Sequence, residues 1–147
     1  MTSTSRAELK AIAAGLRKSA LLKGLNDRAL NRLAHYALVR KLAKDAVVVT
    51  RGEKGVGFFV ILEGHVQARK GGKALATLGP GDFFGELALF DNRPRSADVV
   101  ALEPTTVVVL SRWEFWGFAQ NQPEVLRTIL QVMSRRLEQT GKVSAVP

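Results

Sequence analysis

The run Phe84-Gly85-Glu86-Leu87-Ala88-Leu89-Phe90-Asp91-Asn92-Arg93-Pro94-Arg95-Ser96-Ala97 brings the carboxylate of Glu86 and the guanidinium of Arg95 into one short segment behind a turn at Gly79-Pro80-Gly81. The spacing predicts a short apolar helix from Gly85 to Phe90, with Glu86 in its first turn. Arg95 then falls in a tight polar loop. A helix N-terminus offers unpaired backbone N–H groups and a positive dipole end, which suits a phosphate. An arginine fork matches phosphate oxygens. A carboxylate cannot face a phosphate, so Glu86 is left for a different group, and a sugar hydroxyl is the natural one. A compact ligand carrying both a phosphate and a hydroxyl is a nucleotide. The competing reading, a surface ion pair between Glu86 and Arg95, would contribute little.

Little else in the chain has the spacing of a reactive site. There is no Ser-His-Asp set and no pair of catalytic carboxylates, so the expectation is a binding module, not an enzyme, with no cofactor. His35 and His65 are far apart and have no cysteine partners, because the chain has none. They read as surface or packed histidines, not metal ligands. Gly71-Gly72-Lys73 lacks the spacing of a phosphate loop and reads as a turn. Arg112 to Ala119 concentrates Trp113, Phe115, Trp116 and Phe118. This cluster is expected to pack a helix on the domain, with a base-stacking platform as the alternative.

These residues must be held by a domain of 147 residues, 46% apolar and 24% charged, enough for one real core. No run approaches the roughly 20 apolar residues of a membrane span. The N-terminus lacks the apolar stretch of a signal peptide, and the lack of cysteine fits a cytoplasmic location. The net charge of +9 comes from basic residues that read as scattered, which favours a generally basic surface over a nucleic-acid groove.

Periodicity divides the chain in three. Leu9, Ile12, Ala13, Leu16 and Ala20 predict a helix from Ala7 to about Leu22, stopped by Gly24. Asn26 or Asp27 caps a second helix carrying Leu30, Leu33 and Ala34. The middle is a series of short β-branched and aromatic runs: 47–50, 58–62, 66–69, 74–78, 99–101 and 105–110, with glycine turns between them. Phe58-Phe59 and Val107 to Leu110 read as core strands and nothing more. A final helix starts at Pro123 and carries Val125, Leu126, Ile129, Leu130, Met133 and Leu137 as one stripe. The stripe suits packing on its own barrel or pairing with a second copy.

Two patterns in this order resemble the cyclic nucleotide-binding domain family. One is the glycine-punctuated segment Val48 to Gly64. The other is Phe84-Gly85-Glu86-Leu87-Ala88-Leu89 followed, after five residues, by Arg95-Ser96-Ala97. The second resembles the family's phosphate-binding cassette. The resemblance covers roughly residues 20–141 and implies a mainly β fold: an antiparallel β-roll or jelly-roll barrel of about eight strands with flanking helices. It implies a single domain over residues 1–147, with a helical segment 1–37, a barrel 38–111 containing the cassette 84–97, and C-terminal lid helices 112–141.

By position, Arg95 matches the arginine that grips the cyclic phosphate, and Glu86 the glutamate that accepts the ribose 2′-hydroxyl. Gly85 matches the glycine that approaches the sugar, and Ser96 the small residue that reaches a phosphate oxygen. Leu87, Ala88 and Ala97 complete the cassette. In one bacterial member of the family a Thr-Ser pair on the last helix touches the base. Thr140 falls on the threonine, Gly141 stands where the serine would be, and Arg136 is a further candidate contact. The ligand implied is cyclic AMP, with cyclic GMP open because Ser96 suits either. The module is expected to act on an effector protein or on itself as a homodimer by moving its last helix. Two other readings are a fragment or relative of the family's DNA-binding regulators, disfavoured for a whole protein because no DNA-binding domain follows before Pro147, and a scaffold with an empty pocket.

Overall fold

The structure, a computed structural model, describes residues 5–140 apart from 23, 56 and 86–93. Helix α1 (Arg6–Arg17) opens on Ser5, whose hydroxyl accepts from Glu8 N at 3.1 Å. It buries Ile12, Ala13 and Leu16. The helix stops before the expected Leu22. The Ser19 hydroxyl accepts from Leu21 N, and Leu22 N bonds back only to Ser19 O, so tight turns replace the last helical turn. That turn buries Leu21 and Leu22 together, which one helical face would not do. Asn26 is the cap of α2 (Asp27–Ala34), accepting from Ala29 N at 2.8 Å.

Among the described residues eight strands follow: β1 (Leu38–Leu42), β2 (Val47–Val49), β3 (Gly57–Glu63), β4 (Val66–Lys70), β5 (Lys73–Leu78), β6 (Phe83–Phe84), β7 (Asp98–Ala101) and β8 (Thr105–Ser111). They form two antiparallel sheets in the orders β1-β8-β3-β6 and β2-β7-β4-β5. Gly71-Gly72 turns β4 into β5, as expected, with Lys70 opposite Lys73. β1 and β6 were not separate runs in the sequence. Four of the five β1 residues are exposed, so no apolar alternation marks it, and β6 has only two residues.

Away from β1, the first sheet is covered on both sides. Phe58, Val60, Phe83, Val108 and Leu110 face the helices. Phe59, Ile61, Phe84 and Val107 face the barrel interior with Val48, Val66 and Val99. Thus β3 is a continuous apolar run because neither of its faces meets water.

Helix α3 (Arg112–Ala119) is capped by Ser111, whose hydroxyl accepts from Glu114 N at 3.3 Å. Phe115 meets Phe58 edge-on at 5.3 Å, and Phe118 is buried. Trp113 is 66% exposed, so the aromatic cluster packs only in part. Helix α4 (Pro123–Thr140) begins at Pro123 as expected. Its stripe is also split: Val125 and Ile129 are buried, whereas Leu130 is 68% exposed. Among the described residues no helix is long and apolar enough to cross a membrane.

Candidate functional site

The site is built where the loop before β3 meets the strand-like segment before β7. Lys54 and Pro94 form an isolated antiparallel bridge. Next to it, Arg95 N donates to Glu53 O at 2.8 Å and Gly52 N donates to Arg95 O at 2.9 Å. One residue is therefore clamped through both of its backbone groups. The Arg51 amide extends the clamp by donating to Asp98 Oδ1 at 2.7 Å.

With its backbone fixed, the Arg95 side chain enters the barrel mouth and is only 8% exposed. Nη2 donates to Gly57 O at 2.7 Å, and Nη1 to Gly85 O at 3.3 Å. The guanidinium lies 5.7 Å from the Phe59 ring centroid, and Phe59 stacks on Phe84 at 4.8 Å with an interplanar angle of 8°. A buried cation needs such partners, because leaving water without them is costly. The exposed ion pair considered from the sequence does not describe this arginine.

Two glycines leave the room it occupies. A Cβ on Gly55 would stand 2.1 Å from the guanidinium, and one on Gly85 2.5 Å from Nη1. Gly85 also has φ +79°, a backbone conformation that other residues rarely adopt. The spacing Gly55-Val56-Gly57-Phe58-Phe59 thus supplies room, a carbonyl and an aromatic floor for the arginine. Reading these glycines as strand punctuation and Phe59 as plain core missed that. The available signal was the concentration of glycine just before two aromatics.

Of the candidate residues, the structure brings Arg95 and Gly85 together. Ser96 is exposed beside them, and Ala97 is fully buried just before β7. Glu86, Leu87 and Ala88, with the predicted helix 85–90, lie outside the described residues except for Gly85. Arg136 and Thr140 belong to α4, but their side chains lie outside the described residues, as does Gly141. The histidines have ordinary partners: His35 Nδ1 is 2.8 Å from Asn31 O, and His65 Nδ1 is 3.0 Å from Glu103 Oε2. Among the described residues no cluster of three or more His, Asp or Glu side chains could hold a metal.

A planar cation held at a barrel mouth beside backbone groups is equipped to take an anion, not to move a proton. Comparison with known proteins agrees with that chemistry. The model of the cyclic nucleotide-binding domain matches residues 39–122. Over 120 residues the chain is 36% identical to the Pycsar effector protein PaPycTIR of Pseudomonas aeruginosa, covering 81% of this chain and 39% of that protein. The crystal structure of the Thermus thermophilus catabolite activator protein superposes with a TM-score of 0.77 at 29% identity, over 84% of this chain and 60% of that one. The regulatory domain of Toxoplasma gondii PKA, solved with cAMP, gives 0.71 at 26% identity, over 78% and 46%. The chain thus spans about two to three fifths of the length of these relatives. More than half of the sequence matches the family model, and the two-sheet roll agrees with it; the chain belongs to the cyclic nucleotide-binding domain family.

Proposed function

We propose that this chain is a cyclic nucleotide sensor module, with cyclic AMP as its ligand, that regulates an attached or separate effector. The observation that carries the reading is the seat of Arg95: a buried guanidinium, fixed by Gly57 O and Gly85 O, at the barrel mouth. In this reading Arg95 holds the cyclic phosphate, with Ser96 and the backbone of Leu87, Ala88 and Ala97 around it. Glu86 accepts the ribose 2′-hydroxyl, and Gly85 lets the backbone approach the sugar. The base, left outside the phosphate site, is covered by α4, where Thr140 and Arg136 are the candidate contacts. Closure of α4 over an occupied barrel is the switch, because a ligand shifts a two-state equilibrium only by binding one state better. The module acts as a sensor and not as a catalyst.

Calorimetry of the purified chain against the 3′,5′-cyclic monophosphates of all four ribonucleosides tests the ligand and its base together. Cyclic AMP is expected to bind most tightly. A charge-assisted hydrogen bond contributes about 1.5–3 kcal/mol, so Arg95→Ala is expected to weaken binding by roughly tenfold to a hundredfold. Unchanged affinity in that variant would remove Arg95 from the phosphate. No heat and no thermal shift with any of the four would favour a scaffold with an empty pocket.

Leu130 supports a second feature of this reading. An apolar side chain 68% exposed on the helix that carries the switch suits contact with the effector or with a second copy of the chain. Sedimentation with and without ligand separates the two, because only self-pairing changes the mass of the isolated chain.

A further inference from the structure

The positive charge is not scattered. Residues 1–44 hold 10 of the 22 basic side chains and 2 of the 13 acidic ones, a net +8 of the chain's +9. Among the described residues, the only ion pair within this segment joins Arg17 and Asp27. Its last element, β1, is the terminal strand of its sheet. It pairs with β8 along one side only, from Leu38 opposite Val109 to Leu42 opposite Thr105. Among the described residues nothing covers it: Leu38 is 67% exposed and Val39 42%, Arg40 and Lys41 are exposed, and Tyr36 just before it is 43% exposed.

We infer that β1 is a docking edge for an acidic extended segment of a partner protein, added as a further strand. An open edge is a template for strand addition, and proteins commonly block it with charge. Here the charge selects the occupant. Side chains alternate along a strand, so Leu38, Arg40 and Leu42 share one face and Val39 and Lys41 the other. A second copy pairing antiparallel about Arg40 would set Arg40 against Arg40, surrounded by further cations, and like charges directly opposite are destabilising. An antiparallel segment reading apolar-Glu-Glu-apolar-apolar instead sets its carboxylates opposite Lys41 and Arg40, and its apolar residues opposite Leu42, Val39 and Leu38. β1 lies at the opposite margin of the sheet from β6, so docking there does not depend on which nucleotide fills the barrel.

The test is amide hydrogen exchange of the full chain with two blocked peptides, Thr-Val-Glu-Glu-Val-Val-Thr and its Lys-Lys counterpart. The acidic peptide is expected to slow exchange in Leu38–Leu42 at least fivefold at saturation, and the lysine peptide to leave it unchanged. The charge-reversed chain Arg40→Glu/Lys41→Glu, whose exposed positions leave the fold intact, is expected to exchange the preference and take the lysine peptide. Equal protection by both peptides, protection outside β1, or no protection at millimolar peptide would overturn the inference. So would binding of the full chain to phosphatidylserine vesicles or duplex DNA that survives the charge reversal while neither peptide protects β1.

Discussion

The two faces of the first sheet differ in what they are for. The face toward the helices is the larger core: Phe58 meets Phe115, and Leu16, Leu30, Leu33, Val125 and Ile129 fill the space around them. The face toward the barrel interior lines the smaller core, where valines and an alanine of the second sheet pack against Phe59, Ile61 and Phe84, and it ends at a buried cation. Neighbouring residues of one strand therefore serve different ends. Phe58 holds the domain together, and Phe59 supports the group proposed to bind the ligand. The difference teaches that stability and recognition can be separated by a single step along β3.

That separation can be broken by substitution on either side. The largest effect is expected from Phe58→Ala, which empties a fully buried site and costs about 3–5 kcal/mol of stability. Urea unfolding checks it, and the affinity of the molecules that remain folded is expected to be unchanged. Next is Gly55→Ala, whose Cβ would fall on the Arg95 guanidinium. It is expected to weaken cyclic nucleotide binding about tenfold or more through loss of charge-assisted bonds, with a smaller change in melting temperature. Titration calorimetry beside a thermal melt separates those two quantities; equal losses in both would mean that the faces are not independent. Ser111→Ala removes the cap of α3 on the helical side and is expected to cost about 1 kcal/mol in unfolding experiments, without altering the site. Smallest is Phe59→Leu, which keeps an apolar floor but loses the aromatic face under Arg95. A change of about 0.5–1 kcal/mol in ligand affinity is expected from the lost cation–π contact.

Legibility in the sequence followed burial. Strands β3, β4, β7 and β8 were visible because buried β-branched and aromatic runs between glycines have few other uses. β1 was invisible as a run because it presents both of its faces to solvent, so its sequence obeys no period. The end of α1 was misplaced because a Ser19 hydroxyl competing for a backbone amide leaves no mark on the spacing of leucines. In the site, Arg95 stood out through its cassette. The room made for it by Gly55 and the floor made by Phe59 did not, because they are set by approach in space between segments about 40 residues apart. The scattered look of the basic residues was an effect of reading them singly and not as a sum along the chain.

A strand apolar on both faces carries a hidden ambiguity. Where one face is polar, sliding by one residue would expose the core side chains, and that penalty fixes the alignment. In β3 a slip would exchange Phe58 for Phe59 and leave both faces greasy, so hydrophobicity alone does not select the correct pairing with β8. The glycines at its two ends remove the choice. A Cβ at position 57 would stand 2.6 Å from Leu110 O, and one at position 64 would stand 2.5 Å from Thr105 Oγ1 and 2.7 Å from Pro104 O. Only glycine fits those two close approaches, and a one-residue slip would move a side chain into each. The alignment of the most buried strand is thus encoded by the two residues with no side chain at all.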